Sequence, residues 1–292
     1  MFALQSWLWN GIELSLPDDW EMLQFTRNPE SGRCAFADRY QFRFELDWMR
    51  VDAPPDMERM AADYVAKLQE DGLESVSKSC HAQWLGASGK EKGVPVSRYG
   101  TFLPGGSCIL EAVFIWAKGE KASPSFEGRI LDSIKARPPS ADGRQRWRAF
   151  GMDWTTAGQL SFDTCQISPG LAEATFNNRK QRLTQRFSRR GMLACWLKTD
   201  VRQWLEAQIP KEYKVTSVES STENGHVLWR LEAQRSPSVL VDWLHGQRTI
   251  YACAWICPED ERLYFVATHA HRNKKEWPFA TLSCCKKQEV KA

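Results

Sequence analysis

Gln41-Phe42-Arg43-Phe44-Glu45-Leu46-Asp47-Trp48 carries the clearest structural signal in the sequence. Phe42, Phe44, Leu46 and Trp48 fall on one side of an extended chain, and Gln41, Arg43, Glu45 and Asp47 on the other. That period of two marks a β-strand with one face on a core. Upstream, Ile12, Leu14 and Leu16 alternate with Glu13 and Ser15, a second half-buried strand. Pro17-Asp18-Asp19 then turns the chain before Trp20. Downstream of Pro54-Pro55 the period changes. Met57, Met60, Ala61, Tyr64, Val65 and Leu68 follow helical spacing, with Asp56 as N-cap and Gly72 as stop. Strands are expected again over 94–103 and 108–117, joined by Pro104-Gly105-Gly106-Ser107. Ser123-Pro124 opens a second helix with Phe126, Ile130 and Ile134 inward.

Residues 137–148 have linker composition, with two prolines, Gly143 and no apolar period. The same element order then recurs. Gly151-Met152-Asp153-Trp154 follows Gly11-Ile12-Glu13-Leu14 at an offset of 140. A helix at Val201, Trp204, Leu205 and Gln208, capped by Thr199 and stopped by Pro210, takes the place of the first. Strands over 215–218 and 227–233 follow, then a hairpin over 249–271 turning at 258–261, then a helix start at Trp277-Pro278-Phe279. The expected organisation is a first module over 1–136, a linker over 137–148 and a second module over 149–292. At 292 residues the chain has room for two such cores.

Leu16-Pro17-Asp18-Asp19-Trp20 at the end of a strand, followed by an alternating strand, a helix, a hairpin and a C-terminal helix, resembles the PsbP-like superfamily over most of residues 8–136. The resemblance reaches 148–288 only through the repeat. It implies an α+β fold: two tandem α/β/α sandwiches, each around an antiparallel sheet. It also implies action by binding larger assemblies, without a catalytic signature. The transit peptide or lipobox of the thylakoid and lipoprotein members is missing, which argues against a photosynthetic role.

The N-terminus lacks a basic region and its apolar stretch is broken by Gln5, Ser6 and Asn10, so it reads poorly as a secretory signal. No run is long enough to cross a bilayer as a helix. The nine cysteines are odd in number and several sit in apolar runs, as reduced buried thiols do. These features point to a cytoplasmic protein without membrane insertion. The net charge of +3 is uneven: residues 1–140 carry 16 Lys+Arg against 20 Asp+Glu, and residues 141–292 carry 23 against 16. The second half suits an acidic partner better than the first.

Phosphate-loop, dinucleotide-binding, zinc-protease and nucleophile-elbow motifs are all missing. Gly86-Ala87-Ser88-Gly89-Lys90 has the wrong spacing for a phosphate loop and reads as an ordinary loop. Cys253, Cys257, His269, His271, Cys284 and Cys285 bring metal-type ligands into one region, and zinc would need four of them to converge. Cys253 and Cys257, four apart on a strand, lie roughly 13 Å from each other. A turn over 258–261 pairs 257 with 262 and sends His269 and His271 to the other face. Cys284-Cys285 fall in the expected last helix. The reading is core thiols, with no metal, no cofactor and no catalytic residue.

Two basic segments remain. Arg144, Arg146, Trp147 and Arg148 lie in the linker, and Trp and Arg are the residue types enriched at binding hot spots. They are the expected contacts to a protein partner. Trp7 and Trp9 are likewise hard to bury locally. Arg179, Lys180, Arg182, Arg186, Arg189 and Arg190 would track a phosphate backbone; the plainer reading is a strand with Leu183 and Phe187 inward. The expectation is a non-enzymatic accessory or scaffold protein that docks on a larger protein assembly. A nucleic-acid-binding module using 179–190, and a small-molecule enzyme with its site between the modules, stand as alternatives.

Overall fold

A computed structural model describes residues 3–158, 160–223, 225–235, 248–271, 280–285 and 289–291. The chain divides into two compact units, Met1–Pro138 and Pro139–Ala292.

Unit 1 opens with a hairpin of β1 (Leu4–Trp9) and β2 (Ile12–Pro17), turning at Asn10-Gly11. Both turn residues have positive φ, 49° and 77°. This is the mirror-image turn that matches strand twist and that Asn-Gly favours. A seven-stranded sheet follows: β3 (Glu21–Phe25), β4 (Ser31–Ala37), β5 (Phe42–Arg50), then helix α1 (Met57–Glu70), then β6 (Glu74–His81), β7 (Trp84–Glu91), β8 (Val94–Leu103) and β9 (Cys108–Ile115). The spatial order is β3-β4-β5-β9-β8-β7-β6 with every neighbour antiparallel. Helix α2 (Pro124–Ser133) and the short β10 (Lys135–Ala136), which pairs with β2, close the unit.

The alternation over 41–48 is realised: Phe44, Leu46 and Trp48 are buried. Their face packs under the β1–β2 hairpin, where Trp7 meets Phe36 edge-on at 5.1 Å and Trp9 meets Phe25 at 5.1 Å. Both tryptophans are therefore core residues of unit 1. The opposite face is a charge lattice. Arg33 makes a bidentate pair with Asp47 at 2.7 and 2.9 Å and reaches Glu45 at 3.3 Å. Arg98 reaches Glu111 at 3.3 Å. Tyr64, from α1, donates to the same Glu111. Asp56 caps α1 as its sequence requires, accepting from Arg59 N at 3.0 Å, yet only Leu68 of that helix is buried.

Unit 2 repeats the plan. β11 (Gln145–Ala149) and β12 (Met152–Thr156) form a hairpin turning at Phe150-Gly151, with φ of 53° and 70°. Next come β13 (Ser161–Ser168), β14 (Leu171–Asn178), β15 (Leu183–Arg190), α3 (Leu193–Trp196), α4 (Val201–Ala207), β16 (Tyr213–Glu223), β17 (His226–Arg235), β18 (Arg248–Cys257) and β19 (Arg262–His271). Their order is β13-β14-β15-β19-β18-β17-β16, the order of unit 1 strand for strand. β20 (Thr281–Ser283) pairs with β12, and β21 (Glu289–Lys291) with β20. Trp147 packs on Phe176 at 5.0 Å as Trp7 does on Phe36, both residues displaced by the same 140 positions. Here the second face is apolar: Trp204 and Leu205 of α4 cover Leu231, Ile250, Leu263 and Phe265.

The architecture corrects the expected fold class. The chain is mainly antiparallel β, not an α+β pair of α/β/α sandwiches. An α/β/α layer needs helices on both sheet faces. In each unit one face is instead covered by a tryptophan-bearing hairpin. Smaller corrections follow. Residues 145–149 are strand, not linker. Gly86–Lys90 lies within β7, not in a loop. Glycine stands at position 86 because a Cβ there would sit 1.9 Å from the Arg98 carbonyl oxygen on β8. Asp200, not Thr199, caps α4, accepting from Gln203 N at 2.7 Å. Cys284 and Cys285 follow strand β20 rather than sitting in a helix. The expected start at Trp277-Pro278-Phe279 lies outside the described residues. No helix among the described residues is long and apolar enough to cross a membrane.

Candidate functional site

Unit 1 carries an open cleft of about 550 Å³, walled by Pro17, Trp20, Trp116 and Phe126. The Pro17–Trp20 turn and the first turn of α2 bring these residues together. Trp20 and Trp116 each meet the Phe126 ring edge-on, at 5.9 and 5.8 Å, and the Arg129 guanidinium lies over it at 5.7 Å. Behind the wall Glu127, 1% exposed, accepts from Trp116 Nε1–H and from Tyr99 O–H, both at 2.8 Å. Burial and the Glu127 hydrogen bond push the Tyr99 hydroxyl up to about 12.

Two of the cleft's carboxylates share one arginine. Arg43 pairs with Asp38 at 2.6 Å and Glu120 at 2.8 Å. Burial works against the Asp38 carboxylate, but hydrogen bonds from Arg43 and the amides of Gln41 and Tyr40 hold it below its ordinary value. The Arg43 hydrogen bond does the same for Glu120. On the turn that carries Asp38, Tyr40 is 80% exposed with Arg39 stacked over its ring at 5.2 Å.

The expected partner contacts fare differently from one another. Trp147 is 4% exposed, stacked between Trp154 at 6.3 Å and Phe162 at 5.8 Å, and is out of reach of any partner. Arg146 and Arg148 both grip Asp153, each at 2.6 Å, and Arg144 pairs with Asp142. All three keep part of their guanidinium side chains in solvent.

In the basic run, Leu183 and Phe187 point inward as the plainer reading has it. The arginines of β15 are occupied within the unit. Arg186 and Arg190 share Glu173 at 3.0 and 3.3 Å, Arg186 stacks over Phe265, and Arg190 over Trp196 and Trp204. Arg189 donates to Tyr264 Oη at 3.2 Å and to the Phe150 carbonyl at 3.3 Å. Arg179 and Arg182, on the turn before β15, join Tyr213, Arg248 and His269 around a second depression of about 420 Å³. Burial, with Arg186 and Arg248 nearby, lowers the His269 pKa and favours the neutral ring.

The cysteines assemble in a way that sequence spacing does not reveal. Cys257 ends β18, His226 begins β17, and Cys284-Cys285 follow β20. The register Leu228↔Trp255, continued two residues, sets His226 opposite Cys257. The side-chain ligand atoms of His226, Cys257, Cys284 and Cys285 all lie within 4.8 Å of one another. Cys253 belongs to the core of β18, at 1% exposure, and His269 to the basic depression. The His271 side chain lies outside the described residues. Of the six ligand-type residues read from the sequence, three converge, and the fourth member, His226, was not among them.

No family model matches this chain, and no curated protein sequence matches it; the PsbP-like resemblance has no support from either. Among solved structures it is similar to the T6SS immunity protein TplEi from Pseudomonas aeruginosa, at 8% identity and a TM-score of 0.36, over 94% of this chain and 90% of that one. It is also similar to a chain of the Tle4–Tli4 complex, at 7% identity and a TM-score of 0.35, over 94% and 88%. At these TM-scores neither likeness assigns a fold or a function.

Proposed function

We propose that this chain is a non-enzymatic accessory protein that docks on a protein partner, with the aromatic cleft of unit 1 as its recognition site. The observation that carries the reading is the composition of the cleft. Three aromatic rings are held in fixed edge-on geometry with Arg129 and Lys121 at the cleft, the exposed Tyr40 stands on the turn that carries Asp38, and the Asp38 and Glu120 carboxylates are both paired to Arg43. Aromatic and arginine side chains on a rigid wall are hot-spot chemistry. Carboxylates locked to an arginine are poorly placed to move protons. Arg146 and Arg148, presented side by side at Asp153, are proposed as further contacts.

The test is capture of partners by the tagged chain, with and without nuclease, comparing wild type with Arg129→Glu and Tyr40→Ala. Both changes are at the surface and leave the core intact. A stoichiometric protein retained after nuclease and lost in both variants supports the reading. Retention unchanged in both variants, or turnover of a substrate by the purified protein, refutes it.

A nucleic-acid reading is favoured by one observation, the convergence of Arg179, Arg182 and Arg248 at the basic depression. It rests on fewer cations than the run over 179–190 contains, because Arg186, Arg189 and Arg190 are engaged within the unit on β15, while Lys180 is exposed on the preceding turn. Steep loss of binding with added salt supports it, since counterion release governs phosphate contacts; salt-insensitive binding rejects it.

A further inference from the structure

We propose that His226, Cys257, Cys284 and Cys285 form a structural zinc site that fastens β20 to the ends of β17 and β18. The proposal is independent of the partner-binding reading.

Distances carry the argument first. Tetrahedral zinc with sulfur ligands at 2.3 Å and a nitrogen near 2.0 Å implies sulfur–sulfur edges of about 3.8 Å and sulfur–nitrogen edges of about 3.5 Å. Cys284 Sγ and Cys285 Sγ are 3.8 Å apart, and His226 Nε2 lies 3.3 Å from the first and 3.7 Å from the second. Three of the six edges are thus preformed at tetrahedral spacing, and Cys257 Sγ lies within 4.8 Å of the other three ligand atoms. A Cys284–Cys285 disulfide would bring the sulfurs to about 2.05 Å, so the geometry is that of the open pair.

The donor set is the second observation. Three sulfurs and one imidazole, with no carboxylate in the group, are borderline-soft ligands that suit zinc and exclude calcium or magnesium. His226 is 2% exposed and Cys257 fully buried, so the polar cluster sits inside the unit.

The surroundings point the same way. Trp255 Nε1–H donates to Cys284 Sγ at 3.3 Å. The amides of Glu259 and Asp260, in the turn Cys257-Pro258-Glu259-Asp260, donate to Cys257 Sγ. N–H groups aimed at sulfur stabilise a coordinated thiolate and spread the single negative charge of a zinc centre with three thiolates. On binding, Zn²⁺ displaces the three thiol protons to solvent and takes the Nε2 lone pair of the neutral imidazole. The ligands come from residues 226, 257 and 284–285, so one ion clamps segments that are far apart in the chain.

The experiment uses the full chain, purified reduced and without a histidine tag. Metal analysis is expected to find about one zinc per chain. Exchange with Co²⁺ alone should give thiolate-to-cobalt charge transfer with the intense visible bands of tetrahedral cobalt. Cys257→Ser and Cys285→Ser should each weaken zinc binding at least tenfold in chelator competition, while Cys253→Ser, outside the group, leaves it unchanged. Because a ligand variant can fail to fold, wild type is also melted with chelator: the unit 2 transition should drop and be restored by zinc but not by magnesium. Reduced wild type without metal and without a cobalt spectrum overturns the proposal. So does a Cys284–Cys285 disulfide in the purified protein, or zinc that survives both ligand substitutions.

Discussion

Replacing Trp147 by alanine separates a core role from a contact role at one residue. Trp147 is 4% exposed and touches three aromatic rings, Phe176 at 5.0 Å, Phe162 at 5.8 Å and Trp154 at 6.3 Å. Truncating such a side chain removes most of its buried area and leaves a cavity between hairpin and sheet, a loss of about 3–5 kcal/mol. The aromatic pairs contribute about 0.5–1.5 kcal/mol each beyond area, which places this site toward the upper end. Next along β11, Arg146→Ala removes a half-exposed guanidinium whose partner Asp153 keeps Arg148, and should cost under about 1 kcal/mol. The assay is scanning calorimetry of the full chain, following the transition of unit 2. At roughly 2–4 °C per kcal/mol for a domain of this size, Trp147→Ala should lower that transition by about 6–20 °C. Arg146→Ala should move it by a few degrees at most. A Trp147→Ala protein within about 1 kcal/mol of wild type would refute the packing argument and return Trp147 to the surface.

Glu127→Ala strips the acceptor from the buried Tyr99 O–H and the half-buried Trp116 Nε1–H and should destabilise unit 1 by roughly 1–3 kcal/mol, read by urea titration. Glu127→Gln, which keeps one carbonyl oxygen, should recover part of that loss. Gly86→Ala sets a methyl 1.9 Å from the Arg98 carbonyl and must push β7 off β8; it should cost at least about 2 kcal/mol, whereas Gly93→Ala, with open space around it, pays only for its positive φ. The carboxyls of Asp38 and Glu120 titrate below their unfolded values in the folded state. Their contribution is therefore complete above about pH 4–5 and fades as pH falls through the lower folded values. Arg43→Met should reduce the urea midpoint at pH 6, with the gap to wild type closing toward pH 2; a gap that is constant with pH would place the Arg43 effect in packing instead of charge.

The alternation over 41–48 and the capping of α1 were legible because each is settled within a few residues. So was the 258–261 turn: Cys257 pairs with Arg262 as its length requires. The fold class was not, because it depends on what covers each sheet face. The helical stripe of α1 suggests a helix layer, yet that helix packs on β6, β7 and β8 and buries only Leu68. The true cover is the hairpin turning at Asn10-Gly11, a strong turn signal that sequence reasoning passed over while taking Trp7 and Trp9 as hard to bury. The Cys/His group failed for a different reason. Strand parity correctly separates Cys253 and His269 from any shared site. His226 meets Cys257 only through the pairing of β17 with β18, and no local pattern encodes that register.

Each sheet consists of two sequence-contiguous meanders, zipped along one central seam: β5 with β9 in unit 1 and β15 with β19 in unit 2. During synthesis β5 leaves the ribosome with one edge unpaired, and that edge stays open until residues 108–115 have followed. Such an edge, carrying Phe44, Leu46 and Trp48, is where a nascent chain meets its neighbours. Arg43, Glu45 and Asp47 alternate with those apolar residues along the same strand and place charge where a wrong strand would add. In the finished fold Glu45 and Asp47 pair with Arg33, and Arg43 with Asp38 and Glu120; on the growing chain the same charges oppose aggregation.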